Sequence, residues 1–240
     1  MSKHTHLIAG GCSFTTTDHG TKNWPLYAAE HLDCELYNTA SSSQGNGLIA
    51  KRLIHGIQDL LSQGVSSESM LVGVVWSGVD RMEFFHDPST EYQYISESLH
   101  EGIDFLQDSD HGRWELANAV FGTSRSNLWY RKFHNDVGSV IRTYEKMHWV
   151  QCFLEKHNID YFMSTYTNYV LEHGFDDNEY VKWIRDSINY DRFLPVRSLH
   201  ETFNPSADGS IYGVMDHPNA QQSRDFALNH VVPFVEQTYR

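Results

Sequence analysis

A serine and a histidine near opposite ends of the 240-residue chain have the types and settings of a nucleophile and its base. Ser13 follows HLIAGGC (residues 6–12), where a short apolar run breaks into Gly10 and Gly11, which allow a tight turn and close approach of other backbone. A serine hydroxyl is a weak nucleophile unless a base adjoins it. His217 stands in YGVMDHPNAQQSRDFA (residues 212–227), held by Pro218 just ahead of a helical stretch, and an imidazole pinned in this way can take the proton. The plainer alternatives are that Ser13 caps a helix and that His217 is a surface-loop residue. Cys12 would be the stronger nucleophile at neutral pH, but chain neighbours face different ways, and a free cysteine is most often a buried packing residue.

The elements that would position this pair can be read from the apolar pattern. Four apolar runs, residues 6–9, 35–38, 70–76 and 161–165, read as buried strands. Helical spacing fills the intervals. Trp24-Pro25 opens the first helix, Leu48, Leu53, Ile57 and Leu60 mark a second, and Ile141, Tyr144, Met147 and Leu154 a long third. Phe226, Ala227, Val231 and Phe234 mark the last. Alternating strands and helices predict an α/β fold, a three-layer sandwich around a mostly parallel sheet. Ser13, directly after the first strand, then falls at the carboxyl end of the sheet, where ligands bind in such folds. Residues 86–135 fit the alternation poorly and read as an insertion with a helix over residues 92–106 and long loops. Its aromatic residues Trp114, Phe121, Trp129, Tyr130 and Phe133 are either a platform for a sugar ring or acyl chain or the core of a small subdomain.

Bulk composition narrows the function classes. With 40% hydrophobic and 20% charged residues the chain reads as one globular domain over residues 1–240. The formal charge of −13, from 18 Lys and Arg against 31 Asp and Glu, offers no basic surplus to displace counterions, so nucleic acid is not an expected partner. No apolar stretch approaches 18 residues and no secretory segment precedes the first strand, so membrane insertion is not expected and a cytoplasmic location is. Cys12, Cys34 and Cys152 suit neither a disulfide framework nor a zinc site, and the 15 histidines are scattered; neither metal nor cofactor is expected.

Taken in order, the motifs resemble those of the SGNH, or GDSL-type, hydrolase superfamily. GCSFT (residues 11–15) occupies the place of its first motif and NTASSSQGN (residues 38–46) of its second. VVWSGVDR (residues 74–81) looks like its third and DHPN (residues 216–219) like its last. The agreement spans almost the whole chain and is nearest to the divergent SGNH-like proteins of phage and bacterial genomes. The resemblance implies a flavodoxin-like fold and a serine ester hydrolase working through an acyl-serine, with Ser13 as nucleophile and His217 as base. It also implies an oxyanion hole formed by the backbone N–H groups of Ser13 and of the second motif, at Ser43 or Gly45.

Departures from the family pattern mark where this chain must differ. The third-motif asparagine, the family's other oxyanion donor, falls at Val79, and Asn46 is a replacement candidate by loop placement. The acid three residues before the base falls at Val214, which leaves Asp216, with Asp208 or a backbone carbonyl as alternatives. Ser77 and Arg81 after the third strand are expected to contact substrate, although Arg81 could instead pair with Glu83. The absence of a long apolar lid segment favours small acyl groups, such as O-acetyl esters on a carbohydrate or other polar substrate. The rival expectations are a catalytically weak SGNH-fold protein that binds a glycan or serves in an assembly, and an acyltransferase using the same serine.

Overall fold

The computed structural model describes residues 3–16, 22–86, 106–109, 112–117, 124–172, 174–196, 198–203 and 217–239. Its centre is a four-stranded parallel sheet built from β1 (His6–Gly10), β2 (Glu35–Asn38), β3 (Met70–Trp76) and a later strand, β7 (Asp160–Thr165), in the order β2-β1-β3-β7. All seven residues of β3 are buried, as a central parallel strand covered on both faces requires. Ile8 faces Tyr37 on one side and Val72 on the other, and Val72 in turn faces Tyr161. The outer edge of β7 is partly covered, since Phe193 bridges to Met163 and the Leu194 N–H donates to the Met163 carbonyl at 2.9 Å. These four strands fall on the four apolar runs of the sequence, shifted by at most one residue.

Helices flank the sheet. The first, α1 (Trp24–Leu32), carries Pro25 in its opening turn. Next come α2 (Asn46–Ser62) and, after an insertion, α3 (Ser124–Lys132) and α4 (Asp136–Lys156). Beyond β7 lie α5 (Glu179–Arg185), α6 (Leu199–Phe203), α7 (Ala220–Phe226) and α8 (Val232–Tyr239). The last two are joined by a π-helical turn, Ala227–Val231, ahead of Pro233, which has no N–H to donate. α2 packs against β1 and α4, whereas α1 packs against α7 and α8. Trp24, Trp76, Tyr144 and Tyr161 are the bulkiest fully buried members of the core that results. Among the described residues no helix is long and apolar enough to cross a membrane.

The insertion departs from expectation. It contains a three-stranded antiparallel sheet of β4 (Met82–His86), β5 (Leu106–Ser109) and β6 (Gly112–Ala117), in the order β4-β6-β5. Leu106, expected to end a helix, begins a strand, while residues 92–105 of that expected helix lie outside the described residues. Trp114/Leu116 in GRWELA alternate with polar residues, the period-2 pattern of a half-covered antiparallel strand, and Met82/Phe84 flank Glu83 in the same way before Phe85 breaks the alternation of MEFFH.

Candidate active site

The site is assembled at the carboxyl ends of β1 and β3. After Gly10 the chain turns at once: the N–H groups of Thr15 and Thr16 both donate to the Cys12 carbonyl, at 2.9 and 3.0 Å. Ser13 sits in this turn and caps no helix, since α1 begins at Trp24 with Asn23 before it. Gly11 is required by crowding, because a Cβ there would lie 2.7 Å from the Thr15 Cβ and 3.1 Å from the Val75 carbonyl. Cys12 is fully buried beneath the turn.

His217 arrives from the other end of the chain. Pro218 is buried, and Asn219 caps α7 reciprocally with Gln222: each side chain accepts the other's backbone N–H, at 2.9 and 2.8 Å. This box sets where α7 starts and therefore where His217 stands. The imidazole packs on the Phe14 ring, with centroids 5.0 Å apart, and Phe14 in turn meets Tyr166 edge-on. His217 Nε2 lies 2.8 Å from Ser13 Oγ, a hydrogen bond between residues 204 positions apart. His217 is exposed and Ser13 half-buried, so the pair is open to a ligand.

A second set of bonds fastens the two loops together. The Asn23 amide donates to the Thr16 carbonyl, and the Ser223 hydroxyl on α7 donates to Asn23 Oδ1 at 3.2 Å. The Trp24 indole N–H donates to Thr15 Oγ1 at 3.2 Å. Thus the N-terminal end of α1 holds both the serine turn and the histidine helix.

The second-motif loop runs alongside. Asn38 donates to the Thr15 carbonyl at 3.1 Å, and Gln44 donates to the Gly11 carbonyl at 2.5 Å. Ser43 adopts φ 66°, the left-handed conformation that glycine takes without strain. Among the described residues the N–H groups of Ser13, Ser43 and Gly45 make no hydrogen bond. Asn46, expected to aim its amide at the same crevice, does not. Its nitrogen donates to the Ser77 carbonyl at 3.0 Å and to Thr143 Oγ1 at 3.1 Å, and its oxygen accepts the Ser77 N–H at 2.8 Å. Both amide protons are consumed in tying the start of α2 to the end of β3 and to α4.

Ser77 is fully buried, and its hydroxyl and Gln44 Oε1 are buried polar atoms without a hydrogen-bond partner. Such orphans call for an explanation in a native structure, an unseen water or a ligand among them. Val79 is buried, and its apolar side chain has no donor to give. Arg81 donates to the Gln44 carbonyl at 3.2 Å and lies over the Tyr166 ring at 5.9 Å. Burial lowers its pKa, but Cys12, Tyr166 and Asp80 around it outweigh that and raise it. Burial likewise pushes the Tyr166 phenol up to about 12, so it stays neutral beside the site.

The expected Arg81–Glu83 pair does not form among the described ion pairs. The Glu83 carboxylate accepts the Leu48 N–H in the first turn of α2, whose own N-cap, Gly45, offers no side chain. Glu83 is therefore the helix cap, supplied in trans by β4. Gly45 and Gly47 make room for it, since a Cβ on Gly47 would lie 2.6 Å from Glu83 Oε2. Burial raises the Glu83 pKa, with the Leu48 N–H and the Lys51 charge pulling against it.

The two acid candidates, Asp208 and Asp216, and Val214 lie outside the described residues, as does Phe121 of the expected aromatic platform. The remaining rings mostly pack on one another: Trp129 stacks on Phe133 and meets Phe84 edge-on, while the Tyr130 hydroxyl donates to the Asp80 carbonyl at 2.9 Å. Phe133 is 66% exposed. No group of three or more His, Cys, Asp or Glu side chains is placed to hold a metal ion among the described residues. Gln44, Phe14 and Tyr166 were not singled out from sequence; the first two lie inside the quoted motifs, and only the third has no local signal.

Compared with known proteins, the sequence matches no family model and no curated protein.

Proposed function

We propose that this chain is a serine ester hydrolase of SGNH type, a three-layer α/β/α sandwich of flavodoxin-like topology with Ser13 as nucleophile and His217 as general base. The observation that carries this reading is the 2.8 Å hydrogen bond between Ser13 Oγ and His217 Nε2, made by two loops at the carboxyl end of a parallel sheet. There Ser13 Oγ attacks the ester carbonyl as its proton passes to His217. The tetrahedral adduct collapses to an acyl-serine as the alcohol leaves with that proton, and water repeats the sequence to release the acid. The N–H groups of Ser13, Ser43 and Gly45 are the candidate oxyanion donors, each worth about 10²- to 10³-fold in rate if so placed. Small acyl groups on a polar or carbohydrate substrate suit an open site in which Ser13 and His217 are accessible and Arg81 is half-buried nearby, while Ser77, expected to contact substrate, is fully buried. A glycosyl acceptor in place of water would make the same intermediate serve an acyltransferase.

A second reading, a catalytically weak SGNH-fold protein that binds a glycan or serves in an assembly, is favoured by two specific facts. Val79 stands where the family has a donor, and the Asn46 amide is spent. Covalent labelling with a fluorophosphonate probe, read by intact mass, separates the two. The hydrolase reading expects one adduct on the wild type and none on Ser13→Ala, with labelling of His217→Ala slowed by about 10³-fold or more. A folded wild type that takes no label overturns it in favour of the binding reading.

A further inference from the structure

Between α2 and α4, beside the segment that follows β3, lies a cleft of about 170 Å³. Four of the side chains lining it are cations, Lys51, Arg81, Arg142 and Lys146, against one carboxyl, Glu83, in a chain whose formal charge is −13. That carboxyl accepts the Leu48 N–H in the first turn of α2 while its buried Oε1 has no hydrogen-bond partner, and among the described ion pairs none joins it to any of the four. Outside the lining, the Glu145 carboxylate acts on Arg142 and Asp80 acts on Arg81, but neither acid forms an ion pair with its arginine among the described ion pairs. Lys51 Nζ stands 4.0 Å over the Trp114 ring, and the Arg142 guanidinium lies 5.5 Å over Trp129 while donating to Ser139 Oγ at 2.8 Å. Ring faces hold cation heads in place without cancelling their charge. Burial depresses the Lys51 pKa; Glu83 opposes the shift and the nearby Lys146 charge adds to it.

Half-buried like charges gathered in a cleft repel one another, and the arrangement becomes favourable when an anion enters it. We propose that this cleft binds an anionic oxygen group, a carboxylate or a phosphate, carried by the protein's small-molecule ligand. Its position connects it to the candidate active site. Arg81 lines the cleft and donates to the Gln44 carbonyl, and the Gln44 amide holds the Gly11 carbonyl two residues before Ser13. The cleft is thus the seat for the acidic end of an ester whose acyl carbon reaches Ser13. That last step rests on the hydrolase reading, whereas anion binding itself does not.

The test uses inorganic phosphate and acetate as probes, titrated at constant ionic strength into the full chain and followed by the indole N–H signals of its six tryptophans. The expected result is a saturable shift concentrated on Trp114 and Trp129. It should weaken at least tenfold in a Lys51→Gln/Lys146→Gln double variant and persist unchanged in Lys182→Gln, at an exposed position of α5, and in Ser13→Ala. Phosphate alone binding assigns a phosphate-bearing ligand, and both probes binding assign either oxyanion. Shifts spread over all six indoles, or equal in the double variant, overturn the proposal. So does a double variant that melts below the wild type without anion, because that would give the lysines to neutralising Glu83 instead. Failure of the serine label with phosphate binding intact removes the hydrolase reading and leaves the cleft. If the label succeeds, an ester bearing a carboxylate on its acyl chain should be cleaved at least tenfold faster than acetate by the wild type, with the preference lost in the double variant.

Discussion

Gly11 shows how little room the Ser13 turn has. The space a side chain would need is filled by Thr15 and the Val75 carbonyl, and Thr15 cannot swing away without giving up its bond from the Trp24 indole. Overfilling a packed site of this kind costs about 1–3 kcal/mol. Gly11→Ala is therefore expected to lower the unfolding free energy by that amount, seen as a lower urea midpoint, and to move Ser13 out of reach of His217, so that serine labelling falls even where the variant is fully folded. Unchanged stability and labelling would mean that the turn is looser than its geometry implies. At this scale the sequence was legible where chemistry and position coincide. Ser13 and His217 stood out by type and by place, whereas the amide of Asn46 could not be aimed from loop placement, because its partners Ser77 and Thr143 come from distant segments. Nothing in the run Ser41-Ser42-Ser43 distinguishes the one serine that takes a positive φ.

At the scale of elements, the cap on α2 carries the clearest consequence. Glu83→Ala removes the acceptor for a first-turn N–H and a negative charge at a helix N-terminus, a loss of about 1–2 kcal/mol. Glu83→Gln keeps an acceptor and removes the charge whose burial is unfavourable, so at pH 7 it should match the wild type within about 0.5 kcal/mol. The sign with pH follows from the raised pKa. A buried acid of this kind binds its proton more tightly folded than unfolded, so the wild type loses stability as pH rises from about 4.3 through the folded value. The Gln variant should lack that decline, which urea titrations between pH 4 and pH 8 would reveal. The parallel strands were legible because, covered on both faces, they are nearly continuous apolar runs. The antiparallel strands of the insertion were not, since each carries only one to three apolar residues, and the pairing of β4 with β6 is decided by partners far along the chain. The capping of α2 was hidden for the same reason: its signal, two glycines flanking Asn46, acquires meaning only once β4 lies across them.

Across the whole molecule, segments from both halves of the sequence meet at the start of β7. Lys3 and His4, ahead of β1, contact Asp160 at 2.8 and 2.9 Å, although β3 separates β1 from β7 in the sheet. Tyr239 of α8 packs edge-on against His4, accepts from Arg192 at 2.9 Å and donates to the Tyr161 carbonyl at 2.5 Å. Burial pushes the Asp160 carboxyl up, but the hydrogen bonds and charges of Lys3 and His4 outweigh it and hold the pKa below the ordinary carboxylate value. Such an acid contributes stability that is fully present above its unfolded pKa of about 3.9 and is lost as pH falls through the lower folded value. Lys3 is largely exposed, so solvent screens its share and the contribution at neutral pH is about 1 kcal/mol. Asp160→Asn should thus unfold at lower urea than the wild type at pH 7 and pH 5, with the two curves converging below pH 3. A gap of constant size down to pH 2 would mean that Asp160 acts by packing rather than by charge. Its disappearance would place the acid sensitivity of the fold at the point where the segment before β1, the edge strand and α8 are joined.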